Sequence, residues 1–288
     1  MTAPEAREAR AARPTRVAAD PVASAIASAR DAAAALDAPA RAALAGLLFA
    51  MADDEFVGGF TDSEWTGIAP MLEEDVAISS ISQDELGHAR ALYELLAGVV
   101  DDGRTPDALA YDREPDDYRH ARLLDHARGD WADTIARRFL YELADEARLA
   151  SIGSGFAPLA DLTAKLRREE RYHRMHLVAW ARRLGGDGGE ARRRFVAALG
   201  AVAADAASVL APLPDEAALL AAGILSRSSA EAAAAWRTDV ASVLAPLAID
   251  LRLSDTDPAT ARTAHSEAFR WLWGEFTSVR RSDPGATW

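Results

Sequence analysis

A chain of 288 residues, half of them hydrophobic, has the material for a sizeable core in one large domain or two small ones. A net charge of −13 argues against nucleic acid as a partner, and the lack of cysteine excludes disulfides, thiolate metal sites, cysteine nucleophiles and Cys-ligated iron–sulfur clusters. Any metal must therefore be held by histidine and carboxylate, and no apolar run reaches the roughly 18 residues of a membrane span.

Residues 1–16 carry four Arg and two Glu among much Ala and lack an apolar signal core. They read as a disordered tail ahead of one helical domain over 17–288, in a cytoplasmic protein. Alanine dominates, with Leu, Arg and Glu following, while Val and Ile are scattered, so the expected fold class is all-α.

Residues 21–36 form a first helix, opened by Pro21 with Asp20 as its cap. The next begins near Asp37 and Pro39, with an apolar stripe at Leu44, Leu47, Leu48 and Met51. Continuing that stripe by four lands on Glu55, an acid where burial rules ask for an apolar residue. Asp53 and Asp54 lie on other faces and are expected to meet water. The segment is expected to end around Gly58 and Gly59, or a little later near Trp65. Pro70 opens a helix to about Val100 whose stripe is Ile78, Ile81, Glu85, His88, Leu92 and Leu95, so a Glu-x-x-His unit sits on the apolar face.

Residues 101–128 are polar, with two prolines, and read as a crossover between helical hairpins. No stripe places His120 or His126, which are taken as surface residues. Asp130 to Ile152 is the next core helix, with Ile135, Phe139, Glu142, Glu146 and Leu149 on one face. Asp145 and Glu146 compete with Glu142 for the inward position, and Phe139 and Tyr141 read as packing. Leu162 to Leu184 is a single helix with Leu162, Leu166, His173, Leu177, Trp180 and Leu184 recurring at threes and fours. Glu170, four after Leu166, joins His173 in a second Glu-x-x-His. The basic Lys165, Arg167, Arg168 and Arg171 read as a solvated face.

Beyond Gly185, residues 189–211 and 228–247 are Ala-rich amphipathic helices, with a shorter one at 215–225. A last helix runs from about Pro258 to Arg281. Its Phe269, Trp271, Leu272, Trp273 and Phe276 read as core, with a subunit interface as the alternative. His265 and Glu267 there lack ligand spacing and stay unassigned.

A buried carboxylate is costly unless it is paired or bound to a metal. One Glu-x-x-His is weak evidence for that; two, each preceded by a glutamate about thirty residues upstream, are stronger. Glu55, Glu85, His88, Glu142, Glu170 and His173 repeat the same order in two hairpins, the pattern of a carboxylate-bridged di-metal site in a ferritin-like four-helix bundle. Glu85 and Glu170 would bridge, Glu55 and Glu142 would each cap one metal, and each histidine would bind one. Oxygen and nitrogen donors suit iron, or manganese, better than structural zinc. The expected architecture is thus a ferritin-like four-helix bundle with additional C-terminal helices.

The segments EWTGIAPMLEEDVAISSISQDELGHAR, DWADTIARRFLYE and EERYHRMHLVAWARRLGG, with the later HSE triplet and Trp288, resemble the phenylacetate-catabolism oxygenase family. The likeness covers most of the chain past residue 45 and is nearest to the C-type subunits of that family. It implies a multicomponent monooxygenase in which a catalytic A-type subunit holds a di-iron site and epoxidises the ring of phenylacetyl-CoA with O2 and reducing equivalents. A C-type subunit would share the ferritin-like fold and pair with the A-type one in a hetero-oligomer, and a small B-type subunit and a flavin/iron–sulfur reductase would complete the system. C-type subunits often lack a full ligand set, whereas here all six positions are intact, which allows metal binding in this chain. Three readings follow. The first is a C-type assembly partner that retains a ligand set. The second is a self-sufficient di-iron oxidase or oxygenase, acting on another acyl-CoA or aromatic substrate. The third is a non-catalytic helical interaction protein with vestigial acids.

Overall fold

The helices begin where the sequence supplies a cap. Asp20 accepts from Val22 N, Asp37 from Ala40 N, Asp130 from Ala132 N and Asp133 N, Ser228 from Glu231 N and Ser266 from Phe269 N. The computed structural model describes residues 20–186 and 188–283; the 1–16 tail and Trp288 lie outside them. In chain order the α-helices are α1 (Pro21–Ala33), α2 (Ala38–Ser63), α3 (Leu72–Val100), α4 (Pro106–Tyr111) and α5 (Trp131–Leu149). They continue with α6 (Ala157–Gly186), α7 (Glu190–Val202), α8 (Glu216–Ala221), α9 (Ser229–Leu244) and α10 (Glu267–Ser282).

The fold is an all-α, ferritin-like bundle. Helices α2 and α3 form one antiparallel hairpin, α5 and α6 the other, and α3 also packs on α6. The crossover holds α4 and two short 3-10 turns, α1 lies along α3, α7 and α9 cover α5, and α10 packs on α2 and α4. Buried apolar side chains from α1 to α10 form one connected core. Among the described residues there is no β-strand, only an isolated antiparallel bridge between Ile152 and Leu225, and no helix is long and apolar enough to cross a membrane.

Of the two ends expected for the second helix the structure takes the later one: α2 runs through Gly58 and Gly59 to Ser63. Gly59 is there for close approach: a Cβ on it would stand 2.9 Å from Leu86 Cγ and 3.2 Å from Glu85 Cβ. The helix expected over 189–211 is α7 followed by a 3-10 turn, Ala206–Leu210. The last helix starts at Glu267 rather than near Pro258, because Ser266 caps it and the preceding segment folds inward.

Asp53 and Asp54 do not meet water; both are fully buried. Asp53 accepts from Tyr93 Oη at 2.5 Å, Arg113 Nη1 at 2.9 Å and Arg119 N at 2.6 Å. Asp54 accepts from Ala121 N at 2.6 Å, Arg262 Nη1 at 2.9 Å and Arg148. Their partners come from α3, the crossover, α5 and the segment before α10, so nothing near them in sequence announces the burial. His120 is likewise buried rather than on the surface: its Nε2–H donates to Asp125 Oδ1 at 2.7 Å and its ring stacks on His265 at 4.4 Å. His126 is half-exposed and pairs with Asp205 at 2.9 Å. Of the aromatic cluster in α10, Phe269, Leu272 and Phe276 are buried and Trp271 is exposed.

Candidate metal centre

The six residues singled out on the apolar stripes converge in the middle of the bundle, all buried. Donor atoms of Glu55, Glu85, His88 and Glu170 lie within 4.8 Å of one another, and so do those of Glu85, Glu142, Glu170 and His173. The two groups share Glu85 and Glu170, the pair expected to bridge. The register explains the convergence. Glu55 on α2 and Glu142 on α5 each contribute one carboxylate, and the i, i+3 spacing on α3 and α6 stacks an imidazole over a carboxylate on one face. Of the competitors for the α5 position, Asp145 turns to Arg148 and Glu146 pairs with Arg174.

Each imidazole points Nδ1 inward and Nε2 outward. His88 Nδ1 lies 3.1 Å from Glu170 Oε1 and 3.4 Å from Glu55 Oε2. His173 Nδ1 lies 3.2 Å from Glu170 Oε2 and 3.6 Å from Glu85 Oε1. On the outer side His88 Nε2–H donates to Glu169 Oε2 at 2.9 Å, and His173 Nε2–H donates to Asp84 Oδ2 at 3.2 Å. Each backing carboxylate sits one residue before the shared glutamate of the opposite hairpin. Such a carboxylate fixes the tautomer and orients the ring toward a metal. Sequence reasoning missed Asp84 and Glu169, although both Glu-x-x-His units are preceded by an acid, and that was a usable signal.

Two further residues of α5 reach the cluster. Tyr141 Oη–H donates to Glu55 Oε1 at 2.9 Å, so the ring read as packing also orders a carboxylate. The wholly buried Arg138 donates to Glu85 Oε1 and lies 3.7 Å from Glu142 Oε2. The basic Lys165, Arg167, Arg168 and Arg171 are exposed, as expected.

The electrostatics show how these charges coexist. Burial pushes the Glu55 carboxyl well above its usual range, and Glu85 beside it adds to the rise. Burial does the same to Glu142, with Glu170 adding. Burial opposes ionisation of Glu170 too, but the His173 and His88 imidazoles beside it outweigh that and hold the group well below its usual range. At Glu85 burial is outweighed by Arg138, and the group is lowered. Burial disfavours the His88 cation, yet its contacts with Glu170 and Glu55 raise it to about 12. His173 is raised as well, burial being outweighed by Glu170. These shifts favour the protonated forms of Glu55, Glu142 and the two imidazoles. A cation that enters must displace those protons.

The residues fit a pair of divalent ions. Glu55 Oε2, Glu85 Oε2, His88 Nδ1 and both Glu142 oxygens are buried without a hydrogen-bond partner, and buried polar atoms left unpaired call for a ligand or an explanation. The donor set of four carboxylates and two imidazoles is that of iron or manganese.

A family model described as Phenylacetic acid catabolic protein matches residues 26–288. Among curated proteins, the C-type subunit of the 1,2-phenylacetyl-CoA epoxidase of Escherichia coli (strain K12) is 35% identical over 123 residues, 42% of this chain and 49% of that protein. The match therefore spans about half the length of the relative.

Proposed function

The chain belongs to the phenylacetic acid catabolic protein family, and on that premise we propose that it is a C-type subunit of a multicomponent phenylacetyl-CoA ring 1,2-epoxidase. It would serve as a structural and assembly partner that retains a complete carboxylate di-metal ligand set. The observation that carries the reading is the pair of overlapping buried donor groups sharing Glu85 and Glu170, in a chain similar to a C-type epoxidase subunit. Its partners would be a catalytic A-type homologue, a small B-type subunit and a flavin/iron–sulfur reductase. Apolar side chains left exposed on adjoining helices support a partner surface: Leu72 and Val76 on α3, Tyr172 and Met175 on α6.

Glu55, Glu85, His88, Glu142, Glu170 and His173 would hold the metals, iron first and manganese as the alternative. When bound, a pair of iron ions would supply the electrons for activating dioxygen. The chain's own residues do the rest. Glu169 and Asp84 hold the two imidazoles with Nδ1 inward, Tyr141 fixes Glu55, and the apolar packing around the six side chains keeps bulk water out of a low-dielectric site.

A second reading, a self-sufficient di-iron oxidase acting on another acyl-CoA or aromatic substrate, is favoured by the intact ligand set and its backing acids. Co-expression with an A-type homologue separates the two: a stable complex on size-exclusion chromatography supports the first, and a chain that stays alone while oxidising substrate supports the second. Elemental analysis tests the centre itself. Near-stoichiometric iron in the wild type and its loss in Glu85→Ala are expected; iron unchanged in that variant would remove Glu85 from the ligands, and no iron in carefully loaded protein would favour a non-catalytic interaction protein.

A further inference from the structure

The two halves of the centre have equal ligands and unequal neighbours. In the half formed by Glu55, His88 and the shared glutamates, Glu55 Oε2, His88 Nδ1 and Glu85 Oε2 have no hydrogen-bond partner. The guanidinium beside Glu55, that of Arg148, stands 3.8 Å from Glu55 Oε1 and is engaged by two buried acids outside the six, Asp54 and Asp145. Its charge is therefore answered away from the centre. In the half formed by Glu142, His173 and the same shared pair, Arg138 faces inward. It bonds Glu85 Oε1, stands 3.7 Å from Glu142 Oε2, and has a single buried acid outside the six, Asp62, 3.1 Å from its Nε. The guanidinium lies 5.2 Å from the Tyr141 ring, and its Nη1 runs beside Gly58, where an added Cβ would stand 3.6 Å away. Both Glu142 oxygens lack hydrogen bonds, so this half is built as a ligand set while a resident cation stands beside it.

Resting on the metal-centre reading above, we propose that Arg138 divides the centre into one strong and one weak metal position. The strong one is at Glu55 and His88. The weak one is at Glu142 and His173, where a fixed positive charge in a low-dielectric pocket repels an incoming divalent ion and engages one oxygen of the shared Glu85. The chain then carries one ion under metal-limited conditions and takes a second only when metal is abundant, which separates it from a symmetric two-metal centre with the same six ligands.

Titration of the metal-free protein with Mn2+, counting free ion by its electron paramagnetic resonance signal, tests this without reference to turnover. The wild type is expected to bind one Mn2+ tightly and a second on the order of tenfold or more weakly. R138Q combined with D62N removes the cation together with its buried acid, and is expected to bring the two affinities to parity. In the wild-type Arg138 background, E142Q is expected to abolish the weak position and E55Q the tight one; these two arms stand whether or not the Arg138 variant folds. Two equal ions in the wild type, an unchanged ratio in the R138Q and D62N variant, or loss of the tight ion in E142Q would each overturn the role of Arg138 and leave the centre standing. No Mn2+ bound by any form would overturn the centre as well.

Discussion

Asp84 and Glu169 show how much a single outward hydrogen bond matters at residue scale. Each accepts Nε2–H from the histidine of the other hairpin, and each is partly open to solvent. Removing such a backing carboxylate leaves the inward donors in place and loosens the ring that carries one of them. D84N and E169Q are therefore expected to keep the metal count and weaken affinity by about tenfold to hundredfold, read by isothermal titration. An unchanged affinity in both would show that the imidazoles need no support. Asp125 is a second residue, and its role is electrostatic. Burial opposes its charge, but the His120 and His265 imidazoles outweigh it and hold it at about 2, below its ordinary 3.8. A depressed acid stabilises the fold above its unfolded-state value and loses that contribution as the pH falls through the folded one. About 2 kcal/mol is thus present above pH 4 and lost between pH 4 and about 2. Urea denaturation of D125N across that window is expected to show a flatter decline than the wild type; identical slopes would remove Asp125 from the acid response.

At the scale of elements, the bundle depends on how closely its helices approach. Gly98 lets α1 lie against α3: a Cβ there would run into Ile26 O and stand 2.7 Å from Ala29 Cβ and 2.9 Å from Arg30 N. Ile26 O and Arg30 N are backbone atoms, so the helices would have to move apart. Gly98→Ala is expected to cost about 1–3 kcal/mol despite its better helix propensity, measured by thermal unfolding; a neutral or stabilising result would show that α1 is loosely seated. The same reasoning explains why α2 passes through Gly58 and Gly59 without stopping. Two adjacent glycines weaken a helix locally. Here Gly59 admits the α3 turn bearing Glu85, while a Cβ on Gly58 would only touch Arg138 Nη1 at 3.6 Å.

At the scale of the whole molecule, the segment before α10 is stitched to the bundle by charge. Arg262 is buried and donates to Asp54 through both terminal nitrogens, at 2.9 and 3.1 Å, and to the carbonyl oxygens of Arg119 and Val209, each at 2.8 Å. One side chain thus joins α2, the crossover and the turn after α7. Arg262→Met would leave Asp54 buried with Arg148 as its remaining cation. It is expected to cost about 3–5 kcal/mol in chemical denaturation, since a buried pair loses most when one partner is removed. A loss under about 1 kcal/mol would mean that Arg148 alone satisfies Asp54.

What the amino-acid order determined by itself was local and periodic. It comprised the core helices, the cap at Asp20, and the six ligand candidates, because Glu55, Glu85, His88, Glu142, Glu170 and His173 each interrupt an apolar stripe and a stripe is readable from spacing alone. Asp53, Asp54, His120 and His265 carry no such signature. The two aspartates are covered by the crossover and the pre-α10 segment, which deliver backbone N–H groups and arginines from 60 or more residues away, and His120 and His265 by the stacking of those two segments on each other. Arg138 belongs with them. Its place four before Glu142 was in plain view, but only the packing of α2 and α3 against α5 decided that its charge faces the shared glutamate, and a charge's meaning depends on the neighbours that the fold supplies.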